Sequence, residues 1–200
     1  MSANANELRL RNLRTLALLG ALFFLPLALA FWTYYGTGWR PASHVNHGEL
    51  ITPPRELPLV TLPPAIDGEA VPARLFHRKW SLVYVGNGSC DQACRQALYV
   101  MRQARLALNN QMTRVERVFL VTGGCCDRPF LTTEHAGLTV LDATGEAGGR
   151  LLARFPPEAR DQALFVVDPL GNLMMRYDVR RNPKGLLEDL QKLLRLSHIG

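Results

Sequence analysis

Uncharged residues run without a break from Thr15 to Tyr35 (TLALLGALFFLPLALAFWTYY); beyond them, short apolar bursts alternate with stretches where apolar residues recur every third or fourth position. At about 1.5 Å per residue a helix of some twenty residues crosses a hydrocarbon core of about 30 Å, so 15–35 is predicted to be a membrane-spanning helix that contacts the lipid bilayer. Pro26 interrupts the run, which a lipid-embedded helix tolerates. Trp32, Tyr34, Tyr35 and Trp39 cluster at its far end, where amphipathic rings favour the interface. A cleaved signal would show a shorter apolar region and a small-x-small site; the bulky FWTYYGTGW that follows reads as an anchor instead. Arg9, Arg11 and Arg14 precede the span and Arg40 follows it, which predicts residues 1–14 in the cytoplasm and everything past the span outside.

Residues 36–64 are rich in proline and show no helical period, so they read as an extended tether with room for one short edge strand. Residues 65–200 are expected to form one compact domain, entered at the Asp67-Gly68 turn signal. Trp80–Val85 (WSLVYV) and Val115–Val121 (VERVFLV) read as buried strands, and Gly137–Leu141 as a third. Between the first two, 91–110 places Ala93, Ala97, Leu98, Met101, Ala104 and Leu108 on one helical face. A helix-like stretch covers 147–155. Ala163–Val167 and Leu173–Tyr177 flank the turn Asp168-Pro169-Leu170-Gly171-Asn172 as a hairpin, and Gly185–Leu196 closes the chain as an amphipathic helix. Strand, helix, strand, helix, hairpin, helix is the thioredoxin-like order: an α/β fold with a central mixed β-sheet flanked by helices.

The net charge of +6 and pI near 9.5 come from arginines spread along the chain. No basic run is interleaved with aromatics, so nucleic acid is not an expected partner.

The candidate chemistry lies at the first strand–helix junction. Cys90 and Cys94 stand four apart, and on a helix that spacing projects both side chains from one face at a Cα separation of about 6 Å, within disulfide reach. The same convergence lets two thiolates hold one soft metal ion. A helix N-terminus favours thiolate, and the neighbouring Asp91 opposes it. A five-residue loop removes little chain entropy, so the pair reads as a redox or binding site rather than a structural staple.

The run WSLVYVGNGSCDQACRQALYVMRQARLAL resembles the core of the SCO/SenC family of cytochrome oxidase assembly proteins, with its strand, Gly86, the C-x3-C pair and Leu98 early in the helix. ALFVVDPLGNLMMRY resembles that family's strand–turn–strand segment through Pro169 and Gly171, and the anchor and tether fit the same layout. The resemblance implies a bacterial inner-membrane protein with a periplasmic domain, copper as the metal, and a cytochrome c oxidase subunit carrying a copper site as the partner. Family members bind copper with both cysteines and a histidine shortly before the Pro-Gly turn; counting back from Pro169 lands on Arg160, and no His stands between His135 and His198. A guanidinium has no lone pair for a metal. Cys125 and Cys126, which follow the second strand in VTGGCCDRPF, and His135 are the candidate additional ligands beside Cys90 and Cys94. The alternative for the adjacent cysteines is that they pair with each other or stay reduced. His44 and His47 in the tether read as solvated, and His77 and His198 receive no role.

Three functions follow. The first is an oxidase assembly factor, either delivering copper or keeping the oxidase's copper-site cysteines reduced by thiol–disulfide exchange. The second is a general periplasmic thiol–disulfide oxidoreductase, whose usual C-x2-C, flanking Trp and Pro before the hairpin are all missing here. The third is a binding scaffold without chemistry.

Overall fold

The computed structural model describes residues 3–37, 46–67, 71–178, 180, 182–197 and 199, with 3–8 as backbone only; Trp39, Arg40, His44, Gly68 and His198 lie outside the described residues. The chain divides into two compact units, Met1–His44 and Val45–Gly200. In the first, helix α1 runs Ala3–Phe31 and continues as a π-helical turn, Trp32–Gly36. The stretch Arg9–Gly36 is long and apolar enough to cross a membrane. The helix begins well before Thr15, so Arg9, Arg11 and Arg14 ride on its first turns. Its leucines and phenylalanines are exposed all round, as a helix solvated by lipid requires.

The second unit is built on one six-stranded sheet: β1 (Glu49–Glu56), β2 (Trp80–Gly86), β3 (Val115–Val121), β4 (Thr139–Asp142), β5 (Ala163–Val167) and β6 (Asn172–Asp178). Their spatial order is β1-β6-β5-β2-β3-β4. The neighbours β2, β3 and β4 are parallel, whereas β5 runs antiparallel to β2 and β6, and β1 antiparallel to β6. Helices α2 (Gln92–Ala107), α3 (Arg128–Glu134), α4 (Glu146–Leu152) and α5 (Pro183–Leu196) complete the layers. On one face Leu98 and Met101 of α2 and Leu186 and Leu190 of α5 pack on Leu82, Tyr84, Phe119 and Leu164. On the other, Leu151 of α4 and Phe155 pack on Val83, Val85, Val118, Leu120 and Phe165. The central strands are buried on both faces, which is why they read as unbroken apolar runs.

The expected mixed sheet and flanking helices are present, and the structure adds three details to the sequence reading. The stretch read as tether with room for one short edge strand contains β1, eight residues that pair with β6 at both ends; Pro53 and Pro54 fall in the irregular stretch between Leu50 and Arg55, where the ladder asks no N–H of them. His47 is exposed, as read, but also anchored: its backbone N–H and ring meet Asp189 of α5 (2.7 and 3.3 Å), and its Nε2 lies 3.2 Å from Glu188. The helix predicted over 91–110 ends at Ala107 and gives way to a 3-10 segment, Asn109–Arg114.

Candidate redox site at the carboxyl edge of the sheet

Because β2 and β3 are parallel neighbours, the loops leaving them emerge at the same edge of the sheet. Because β5 is antiparallel to β2, the loop entering it arrives there too. Topology alone therefore gathers three segments: 87–91, 122–127 and 160–162. The peptide groups lace them together. Gly88 N–H donates to the carbonyl of Gly123 (2.8 Å), Asp127 N–H to that of Gly88 (3.2 Å), and Asn87 N–H to the Asp161 carboxylate (3.1 Å). A Cβ at Gly88 would stand 2.8 Å from the Cys125 backbone, so only glycine permits this approach.

Cys90 and Cys94 form a disulfide with Cα atoms 5.0 Å apart. The means differ from the expected helical repeat. Cys90 lies before the helix in the left-handed region (φ 49°), Asp91 is the N-cap, and Cys94 stands in the first turn. The Asp91 carboxylate accepts the Cys94 N–H at 2.9 Å, capping the helix and setting a negative charge beside the pair, which disfavours thiolate.

Cys90 and Cys94 are each 2% exposed. Exchange with a partner needs sulfurs that the partner can reach; in the oxidised arrangement these two are together but covered. Ala65, Ile66 and Cys126 pack against the cluster that contains them. Tyr84 lies beneath the same edge, its hydroxyl donating to the Asp161 carbonyl at 3.1 Å; burial first, then the charges of Asp161 and Asp91, push its pKa well up.

Cys125 and Cys126 are joined to each other, the former exposed and the latter half-buried, with sulfurs 3.3 and 3.9 Å from the Ala65 carbonyl oxygen. His135 is turned away into the core behind Phe130, ring against ring at 4.7 Å. Burial, then the charges of Arg117 and Arg102, depress its pKa. Among the described residues no three His, Cys, Asp or Glu side chains converge as a metal would require. Cys125, Cys126 and His135 are thus not brought together with Cys90 and Cys94 as a metal shell. Reduced Cys90 and Cys94 would offer copper two soft donors, and no third joins them among the described residues.

Arg160 is not at the site either. Its Nη2 donates to the carbonyls of Leu152 and Phe155 (2.6 and 3.1 Å), closing the end of α4. Its neighbour Asp161, which sequence reasoning passed over, is the residue of that loop that meets the cysteine turn; φ of 61° at Asp161 turns the chain toward it. Arg95 and Asp127 were missed as well. They form an ion pair that ties α2 to the cap of α3, with the Arg95 guanidinium 4.1 Å over the Phe130 ring.

A parallel β2–β3–β4 core, an antiparallel β5–β6 hairpin and a cysteine pair at the first strand–helix junction define a thioredoxin-like domain. The chain belongs to the transmembrane-like, thioredoxin-like, C-terminal domain family, whose model matches residues 80–197. Its structural neighbours are Sco1/SenC proteins. Apo Sco1 from Thermus thermophilus is 21% identical with a TM-score of 0.60, the match covering 76% of this chain and 99% of that one. Yeast Sco1 with copper bound is 14% identical (TM-score 0.61; 74% and 96% covered). BsSco, a Sco-family cytochrome c oxidase assembly protein with a disulfide switch, is 16% identical (TM-score 0.52; 74% and 99% covered). No curated protein sequence matches the chain.

Proposed function

We propose that this chain is a membrane-anchored, extracytoplasmic assembly factor for a respiratory cytochrome c oxidase, working through Cys90 and Cys94 by thiol–disulfide exchange. The observation that carries the reading is the closed Cys90–Cys94 pair at the carboxyl edge of a thioredoxin-like sheet. In the reduced domain one thiolate attacks a disulfide of the partner, forming a mixed disulfide and releasing one partner thiolate. The second cysteine then attacks the mixed disulfide, releasing the other partner thiol and closing Cys90–Cys94; two electrons pass to the partner. Since the closed pair is covered, exchange requires the 87–91 turn to part from 122–127. The anchor sits in the bacterial inner membrane with its arginine-rich start in the cytoplasm, following the positive-inside rule.

Copper delivery is the second reading, favoured by the fold shared with copper-bound yeast Sco1. The reduced pair offers two soft ligands. The missing third ligand among the described residues weights the account toward exchange.

The full chain in detergent, reduced and then titrated with Cu(I) or with an oxidised oxidase copper-site subunit, separates the two. Stoichiometric reduction of the subunit's disulfide, lost in Cys90→Ser, is the expected outcome. Tight copper binding without exchange moves the function to delivery, and neither activity leaves a scaffold.

A further inference from the structure

Arg117 stands between Val115 and Phe119 on β3, on the face that otherwise presents buried apolar side chains to α2. It is 4% exposed. Its Nη2 donates to the Ala136 carbonyl at 2.6 Å, while Nε and Nη1 are buried without a hydrogen-bond partner. No described carboxylate pairs with it. Burial first, then the charges of Arg105 and Arg102, lower its pKa. A buried cation without a counter-charge, crowded by two more cations, is a strongly unfavourable arrangement unless an anion completes it.

A cleft of about 170 Å³ lies where the three arginines meet, its wall completed by Thr133 and Glu134. Arg102 and Arg105 come from one face of α2, three residues apart, and both are half-buried. Arg105 spends Nε on the Val115 carbonyl (2.7 Å), leaving its terminal nitrogens for another acceptor. Glu134 is exposed and ion-pairs with none of the three among the described residues.

We propose that this cleft is an oxyanion site, built to take a phosphate group. Guanidinium groups arriving from a helix and a strand offer donors in several directions, which a tetrahedral oxyanion accepts and a planar carboxylate satisfies only along one edge. The phosphate comes either as the free ion or as the headgroup of a phospholipid, since the chemistry of recognition is the same. The site is separate from the cysteine pair, and the proposal does not depend on exchange or copper.

The test uses the full chain in a zwitterionic detergent and a chloride-free buffer, titrated calorimetrically with inorganic phosphate and, separately, with short-chain phosphatidylglycerol below its micelle concentration. Wild type binds one phosphate and its unfolding temperature rises with phosphate. Arg117→Met weakens binding by tenfold or more, loses the phosphate-dependent rise, and without phosphate unfolds no lower than wild type, because the uncompensated charge is gone. Arg102→Gln, on the half-buried rim, weakens binding severalfold without touching the core. Binding of phosphate alone assigns the free ion, and binding of both ligands assigns the headgroup. No phosphate binding by wild type, or equal binding by both variants, overturns the site.

Discussion

Asp189 shows how one buried side chain fixes the start of the domain. It is 4% exposed, yet accepts the backbone N–H groups of His47 (2.7 Å) and Gly48 (2.9 Å) and the Tyr177 hydroxyl (2.8 Å). Burial by itself would raise its pKa; the Gly48 amide, the Tyr177 hydroxyl, and the amide and ring of His47 outweigh it and hold the carboxyl below its ordinary value. A carboxyl depressed by folding contributes stability that is fully present above its unfolded pKa of about 4 and is lost as pH falls through the folded value. Asp189→Asn is therefore expected to lower stability by about 1–3 kcal/mol at neutral pH and to flatten the acid limb of unfolding below about pH 4. Denaturant melts followed across pH check this; superimposable acid limbs for wild type and variant would contradict it. Asp91 acts at the same scale. Asp91→Ala removes a helix cap, costing about 1 kcal/mol, and takes a negative charge from beside the cysteine pair. In the reduced protein the variant's cysteines should alkylate with a lower apparent pKa than wild type, and an unchanged pH profile would show that the cap does not restrain the thiol.

Among the elements, the loops after β2 and β3 decide whether the sulfurs can be reached. Gly88 is the point of closest approach, so Gly88→Ala must push the 122–127 loop outward, costing about 1–3 kcal/mol as overpacking does. The expected result is a Cys90–Cys94 disulfide that a small dithiol reduces faster than in wild type; an unchanged reduction rate would mean that this contact is not what covers the pair. How legible each element was in the sequence follows from its burial. WSLVYV, VERVFLV and ALFVV are covered on both faces and so read directly as strands. ELITPPRE is an exposed edge strand, its prolines mask any alternation, and its pairing depends on β6 more than a hundred residues away. RPFLTTE is too short for a helical period to show, although Asp127 as cap and Pro129 in the first turn were the available signals. In VERVFLV the arginine at an inward register position was the mark of the anion cleft, visible only once the face of β3 is known.

For the whole molecule, the cysteine pair was legible from spacing and position, and the company it keeps was not. The 160–162 loop meets the cysteine turn only because β5 lies beside β2, an adjacency no local pattern carries; hence nothing local gives Asp161 a role while Arg160, its neighbour, stands out by spacing. Likewise the adjacent cysteines share an edge with Cys90 and Cys94 by topology, yet are paired with each other. The account rests on Cys90–Cys94 being a working redox couple. A redox titration of the full chain, with thiols counted by mass-tagged alkylation, tests this directly. The account predicts a single two-electron transition assigned to Cys90 and Cys94, absent in Cys90→Ser, at a potential above about −300 mV. A Cys90–Cys94 bond that stays closed below that potential would make it a structural crosslink and contradict the account.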